Sequence, residues 1–457
     1  MPVSFSFTAV SQQKVTMTLN VVAAAAVAAL ASSTALALVV PGPGGDSDAI
    51  SGGPLQPRQT PVLPPLDPFP PPDGFPPYNG TGPTMLRFSC HQAVIDRLDP
   101  LITPGRVPSH HQHQIVGGDA FRPAMPPGAD VAELATCTTC SYRDDLSNYW
   151  TANVYFRARN GSYRRVRQAA NNQDFFPDDH YGRRQQGGMT VYYVSEGADN
   201  NKTTTAFAPG FRMFVGDALL RAKPTEGPWD LRHQTCYRCY NATGFGGDVY
   251  APCIDPDGLD TQGFPDRPCP GGIRSNVLFP TCWDGVNLDS ADHRSHVAWP
   301  VDGPHNFDGA HTAHACPDSH PVRIPQLMYE IVWDTAEFND PDLWPEGDGR
   351  SQPFVLSNGD TTGYSQHGDY VFGWRGDSLQ VGMDAGCIGA NCPGMATQSV
   401  EEGLQCVVPE VVGEDYDGCK SFFFLFSFYC ILLRLVSLFV FVASVCVLKV
   451  MVADDDD

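Results

Sequence analysis

The stretch PSHHQHQIVGG, residues 108 to 118, sets three histidines, His110, His111 and His113, within four positions. A neutral imidazole is a metal ligand, and with an ordinary pKa near 6.5 it is also an acid or base at physiological pH. If this segment is a strand, alternation puts His111, His113 and Ile115 on one face and His110, Gln112 and Gln114 on the other. A His-x-His pair on one face can chelate an ion. Two ligands do not complete a site, because a catalytic zinc usually has three protein ligands and copper also needs further nitrogen or oxygen donors.

Other segments supply those donors. CWDGVNLDSADHRSHVAWP, from Cys282, offers His293 and His296, with Asp289 and Asp292 as carboxylates able to orient a ring. His320 follows in CPDSHPVRIP, and GDTTGYSQHGDYVFGW adds His367 with Asp369 behind it. Three chemistries compete for these residues. As a metal centre, the expected ligands are His111, His113, His293 and His296, and the ion copper or zinc. As a metal-free site, His113, His293, His367 and Asp369 would carry acid and base catalysis. As scaffold, the same rings would cap loops and bond to backbone. The HTAH run at His311 to His314 lies in a Gly-, Asn- and Asp-rich loop and reads as surface.

Trp283, Trp299, Tyr364 and Trp374 could stack on sugar rings or be core. Glu330 and Asp334 share a strand face, yet at about 3.3 Å per residue they lie roughly 13 Å apart. Retaining glycosidases need about 5 to 5.5 Å between their carboxyls, so this pair is set aside. No G-x-S-x-G elbow, P-loop or dinucleotide fingerprint is present.

The elements that must position these residues are strands. Gly (44) and Pro (41) are abundant among 457 residues and charged residues make up only 18%, which disfavours helices and favours turn-rich β structure. Short apolar runs such as MTVYYV, FRMFVG, LMYEIVWD, PFVLS and YVFGW are divided by Gly, Pro and Asn/Asp turns. The expected fold is all-β, a disulfide-rich β-sandwich or jelly-roll-like domain with long loops over residues 85–406. A net charge of −22 argues against nucleic acid as a partner.

The flanks read differently. Residues 1–37, with Lys14, the apolar run from Val21 and ALA ending at Ala37, look like a secretory signal peptide. Residues 38–84 form a Pro/Gly-rich linker expected to be disordered, and 407–420 a short linker. Residues 421–448 are long enough for a membrane-spanning helix, with Arg434 as its one charge, before an acidic tail at 449–457. A lipid-anchor signal near Gly418 and a terminus outside the native coding sequence are the competing readings of that segment. Export makes the cysteines disulfide partners: twelve lie between Cys90 and Cys406, enough for six bridges. The CxxC pairs Cys137/Cys140 and Cys236/Cys239 therefore read as disulfide-forming and not as zinc ligands, with connectivity left open. Asn79, Asn160, Asn201 and Asn241 begin glycosylation sequons.

FSCHQAVIDRLDPLITPGRVPSHHQHQIVGGDAF from Phe88, CTTCSYRDDLSNYWTANVYF from Cys137, FRMFVGD from Phe211, IRSNVLFPTCWDGVNLDSADHRSHVAWP from Ile273, CPDSHPVRIPQLMYEIVWD from Cys316 and GDTTGYSQHGDYVFGW from Gly359 together resemble a fungal family known as domain of unknown function 1996. The resemblance spans nearly all of residues 85 to 392 and implies an exported protein, with no activity and no catalytic residue to carry over. It places His111, His113, His293, His296, His320 and His367 in the family's signature segments. The combined expectation is a secreted or surface-tethered protein acting at the cell wall, on or bound to polysaccharide, through a histidine-rich site. A metal-binding module without turnover and a structural wall component are the alternatives.

Overall fold

The structure, a computed structural model, describes residues 84–169, 187–195, 204–223, 235–240, 260–301, 315–347, 351–386, 388–389 and 392–416. The expected signal segment, the linker up to residue 83, the hydrophobic segment 421–448 and the acidic tail lie outside them. Among the described residues no helix is long and apolar enough to cross a membrane.

Strands dominate. In chain order they are β1 (Thr84–Asp96), β2 (His113–Gly117), β3 (Asn148–Ala152), β4 (Val154–Arg157), β5 (Tyr163–Arg165), β6 (Arg167–Gln168), β7 (Gly188–Ser195), β8 (Arg212–Gly216) and β9 (Thr235–Cys239). There follow β10 (Asp260–Thr261), β11 (Ile273–Leu278), β12 (Cys282–Trp283), β13 (Val297–Ala298), β14 (Val322–Arg323), β15 (Gln326–Asp334), β16 (Phe354–Leu356), β17 (His367–Val371) and β18 (Ile388–Gly389). The described α-helices are short: α1 (Val131–Leu134), α2 (Ser378–Asp384) and α3 (Val400–Leu404).

One 12-stranded sheet runs in the order β10-β9-β11-β15-β7-β1-β2-β3-β17-β8, with β6 and β18 joined at its sides. Its pairings are antiparallel except β1 with β18. Two 3-stranded sheets, β13-β12-β14 and β16-β4-β5, lie apart from it. The central strands are covered on both faces, which is why GMTVYYVS and QLMYEIVWD carry near-continuous apolar runs with no strict alternation.

The sheet curls back on itself. β15 and β3 are four places apart in the order, roughly 19 Å along a flat sheet. Yet the rings of Tyr329 on β15 and Tyr149 on β3 stand 5.7 Å apart, edge to face. The Tyr329 hydroxyl also donates to the Asp369 carbonyl of β17 at 2.6 Å. Gly368 permits this approach, because a Cβ there would lie 2.9 Å from Phe279 Cζ and 3.1 Å from Tyr329 Cε2. The all-β, disulfide-rich class is as expected, and one curled sheet supplies both layers around the core.

Two of the three hydrophobic clusters among the described residues lie on the two faces around β17. The inner one gathers Phe88, Tyr149, Tyr193, Tyr237, Tyr329, Tyr370 and Trp374; Trp374, considered above as a sugar platform, is buried there against Phe88 and Tyr193. A hydroxyl chain runs through it: Tyr370 to Tyr193 at 2.8 Å, Tyr193 to Tyr149 at 2.8 Å, and Tyr149 donating to Asp145 Oδ2 at 2.6 Å. Burial pushes the Asp145 carboxyl up to about 7 against these hydrogen bonds. The outer core packs Ile115, Trp150, Phe214 and Val371 under Leu98, Leu101 and Phe121 from the loops between strands.

Disulfides fasten those loops. Cys90 pairs with Cys140, Cys137 with Cys406, Cys239 with Cys269 and Cys282 with Cys316, while Cys236 and Cys392 are also disulfide-bonded. Neighbours in each CxxC motif thus go to different partners. Residues 407–416 pack against β1: Val411 and Val412 donate backbone N–H groups to Asp96, and Arg97 pairs with Glu414 at 2.8 Å.

Candidate metal centre

β2 and β17 flank β3, and each opens on a histidine. His113, the first residue of β2, stands opposite Asp96 of β1 and Ala152 of β3. His367, the first residue of β17, stands opposite Gly216 of β8. Gly216 has φ +100°, and a Cβ there would lie 2.7 Å from both Cα and Cβ of His367, so the glycine makes room for this histidine's backbone. His111 precedes β2 in a loop tied down by local bonds. Ser109 donates its N–H to the Arg97 carbonyl and its hydroxyl to the His111 carbonyl, both at 2.8 Å, and Arg97 donates to the His110 carbonyl at 3.1 Å.

The three rings meet over the outer face. His367 Nε2 lies 3.0 Å from His111 Nε2 and 3.4 Å from His113 Nε2, and one nitrogen from each ring falls within 4.8 Å of the other two. Two imidazole nitrogens bound to one ion at about 2.0–2.1 Å, with angles of about 90–110°, would be separated by roughly 2.9–3.4 Å. Both short separations fall in that range.

Backbone carbonyls set the tautomers. His113 Nδ1 lies 2.9 Å from the Leu98 carbonyl and His367 Nδ1 lies 2.9 Å from the Ser365 carbonyl. A carbonyl only accepts, so each ring carries its proton on Nδ1 and turns the Nε2 lone pair into the cluster. Carbonyl orientation of this kind is what metal-ligating histidines show. Two lone pairs facing each other at 3.4 Å repel, and either a cation between them or a proton on His111 Nε2, 3.0 Å from His367 Nε2, relieves that repulsion. The rings are 7%, 0% and 1% exposed for His111, His113 and His367, which keeps them neutral. Burial lowers His113 to about 4, and burial with His113 beside it lowers His367 to about 4. Burial and the other two rings push His111 well below its ordinary value.

Two buried carboxyls, Asp369 and Asp99, stand near His367. Asp369 follows His367 by two residues on β17, so both side chains face the same way. Asp369 is fully buried, and neither carboxylate oxygen has a hydrogen-bond partner. Burial and nearby Asp99 push its pKa well up, while Arg294 draws it down. Asp99 Oδ1 accepts the N–H groups of Leu101 and Ile102 at 3.2 and 3.0 Å, and its charge interacts with His367. The Phe214 ring lies 5.7 Å from that of His367, with the Arg294 guanidinium 4.3 Å above its centroid.

The expected set of His111, His113, His293 and His296 is not assembled. His296 is buried with both nitrogens in use, Nδ1 at 2.9 Å from Ser290 Oγ and Nε2 donating to the Arg212 carbonyl at 2.9 Å. His293, with φ 56°, gives its Nδ1 proton to Asp289 at 2.6 Å and receives the Phe214 N–H on its carbonyl at 2.9 Å. Asp292 does not orient an imidazole; it caps backbone N–H groups of Arg294 and Ser295, which holds it at low pKa against burial. His320 bonds to the Ser295 carbonyl, and His110 faces outward beside Arg106. Hydrogen bonds to Asp289, Ser290 and the Arg212 and Ser295 carbonyls thus engage this second group, where His111, His113 and His367 leave nitrogens converging.

Cys90, Cys140 and Asp145 also lie close together, but both cysteines are oxidised to one disulfide and offer no thiolate. Glu330 is buried and accepts from Tyr192 at 3.3 Å, while Asp334 is exposed and caps Ala336. Asn160 is exposed in a turn closed by Ser162; Asn79, Asn201, Asn241, His311 and His314 lie outside the described residues. Asp99 and the two carbonyls are the functional groups missed in the sequence. The acid in RLDPLI, a few residues before the histidine-rich stretch, is the available signal for Asp99.

Three buried imidazoles, two of them with tautomers set by backbone carbonyls, on the outer face of a curled and disulfide-fastened sheet, define a candidate metal-binding all-β protein. A family model described as a domain of unknown function, DUF1996, matches residues 99–374, more than half of the chain, and the chain belongs to that family. The match contains all three histidines, Asp99 and Asp369. No curated protein and no solved structure matches the chain.

Proposed function

We propose that this domain binds one copper or zinc ion through Nε2 of His113 and His367 and a ring nitrogen of His111. The carrying observation is the convergence of these nitrogens with two lone pairs fixed inward by the Leu98 and Ser365 carbonyls. The burial of all three rings supports a binding module over an enzyme, because a catalytic metal keeps a position open to substrate.

The disulfides point to an extracellular or secretory-pathway protein. Within that compartment we place the domain at a cell wall, bound to polysaccharide, a setting supported by the apolar N-terminal run and the family resemblance of the sequence. Action on that polysaccharide is the second reading, and the Asp289-oriented His293 beside Phe214 is the observation in its favour.

Elemental analysis of the purified full chain and its His113→Ala and His367→Ala variants is the test. One equivalent of copper or zinc in the parent, absent from both folded variants, is expected. Equal, sub-stoichiometric metal in all three sinks the proposal, and soluble sugar released from glucan, chitin or mannan would replace the binding reading with the enzymatic one.

A further inference from the structure

We infer that Arg97, clasped by Glu414, is the residue that holds the His111 loop shut over the metal centre, and that the ion enters and leaves when this clasp opens. This rests on the metal reading of the triad. The rings of His111, His113 and His367 are all buried, so an ion reaches their converging nitrogens only if one of the three gives way. His113 and His367 each begin a strand and are paired into the curled sheet. His111 lies in the loop between β1 and β2, where residues 104–108 and His110 are exposed. It is the ligand that can be displaced without breaking the sheet.

The loop is anchored on two sides of unlike strength. Toward β2, Gln112 is buried; its side chain accepts from Asn153 at 3.1 Å and from the Tyr155 hydroxyl at 2.5 Å, and its carbonyl accepts the Ser357 hydroxyl. Toward β1, Arg97 grips the loop: its carbonyl accepts the Ser109 N–H at 2.8 Å, and its guanidinium donates to the His110 carbonyl at 3.1 Å. The same guanidinium donates to Glu414 at 2.8 Å, and these two side chains are 18% and 34% exposed. Glu414 belongs to the segment after Cys406, which is tied to Cys137 by a disulfide and to Asp96 by the N–H groups of Val411 and Val412. A fixed strap thus aims Arg97 at the carbonyl next to His111. The clasp is intact in the closed centre with or without an ion and broken in the open one. Weakening it lowers the cost of opening equally for entry and exit, so both rates rise by one factor while the affinity, their ratio, is kept.

The full chain, stripped of metal, is mixed rapidly with zinc(II), and in separate runs with copper(II), and uptake is followed with a free-metal indicator. Release is followed by adding excess chelator to the loaded chain. Glu414→Gln keeps the shape of the clasp and removes its charge, while Arg97→Lys keeps the charge and removes the fork that reaches two acceptors at once. For each variant we expect uptake and release to accelerate together by about 2–5-fold, the change that a partly exposed ion pair supports, with affinity altered by less than about twofold. Unchanged rates in both variants overturn the inference. So does faster release with unchanged uptake, which lowers affinity and means that Arg97 only shapes the closed site. If Arg97→Lys does not fold, Glu414→Gln carries the test alone. A parent chain that binds neither ion overturns the metal reading itself.

Discussion

The curled sheet carries two polar clusters on opposite faces, and β17 contributes to both. On the inner face Tyr149, Tyr193 and Tyr370 pass hydrogen bonds from hydroxyl to hydroxyl and end on Asp145. On the outer face His113 and His367 turn lone pairs toward each other and Asp369 has no hydrogen bond. Both clusters are buried, and one sheet builds both. The inner chain closes on itself, as a buried polar network must if it is to rigidify a core. The outer group is left open in a way that one cation would complete. Internal satisfaction marks architecture, and convergent deficiency marks a ligand site.

The largest effect that would break this contrast is loss of ion binding. His367→Ala should abolish stoichiometric metal while leaving the fold intact, and Tyr149→Phe should leave metal content unchanged, both measured by elemental analysis with circular dichroism on the same samples. Metal lost equally from both variants would mean that the two faces are one unit. Gly216→Ala should affect fold and site together, since the new methyl meets the His367 backbone and the φ of +100° disfavours it. Strained backbone positions cost of order 1–3 kcal/mol, so we expect a fall in unfolding free energy of about that size together with weakened metal binding.

The pH response should separate the faces by sign. Asp145 has its folded pKa raised to about 7 from an ordinary 3.8. Its contribution to stability is therefore full below about pH 4 and lost as pH rises through about 7, by roughly 4 kcal/mol at most at 1.36 kcal/mol per pKa unit. Asp145→Asn should flatten that slope in urea titrations of the metal-free chain. On the outer face the folded pKa of His113 and His367 is depressed to about 4 from 6.5. Their contribution is present above pH 6.5 and lost as pH falls through about 4, and bound metal steepens the loss because protons compete for the same nitrogens. An acid-side slope unchanged by His113→Ala would show that the outer rings do not titrate as described.

Legibility in the sequence followed range. The pairing of His111 with His113 and the outward turn of His110 needed only strand alternation, and the short apolar runs announced an all-β fold. The approach of His367 to His111 crosses 256 residues and depends on β3 lying between β2 and β17, which no local pattern encodes. Disulfide partners were unreadable for the same reason: Cys137 reaches Cys406 across 269 residues. His293 and His296 looked like ligands because carboxylates surround them in sequence. In the structure Asp289 takes the Nδ1 proton of His293, and Ser290 Oγ and the Arg212 carbonyl engage both nitrogens of His296, a competition that residue types alone do not reveal.

The smallest expected effect sharpens the distinction between histidines that read alike and are built differently. His293 sits at φ 56°, where glycine pays no steric penalty, and its ring is held by Asp289 at 2.6 Å. His293→Gly relieves the backbone but removes that bond, two effects of about 1 kcal/mol each and opposite sign, so net stability should change by less than about 1 kcal/mol. Metal stoichiometry should not change, because no nitrogen of His293 belongs to the converging set. Loss of the ion in this variant, with the fold retained, would move His293 into the centre and redraw the boundary between the local turn and the site.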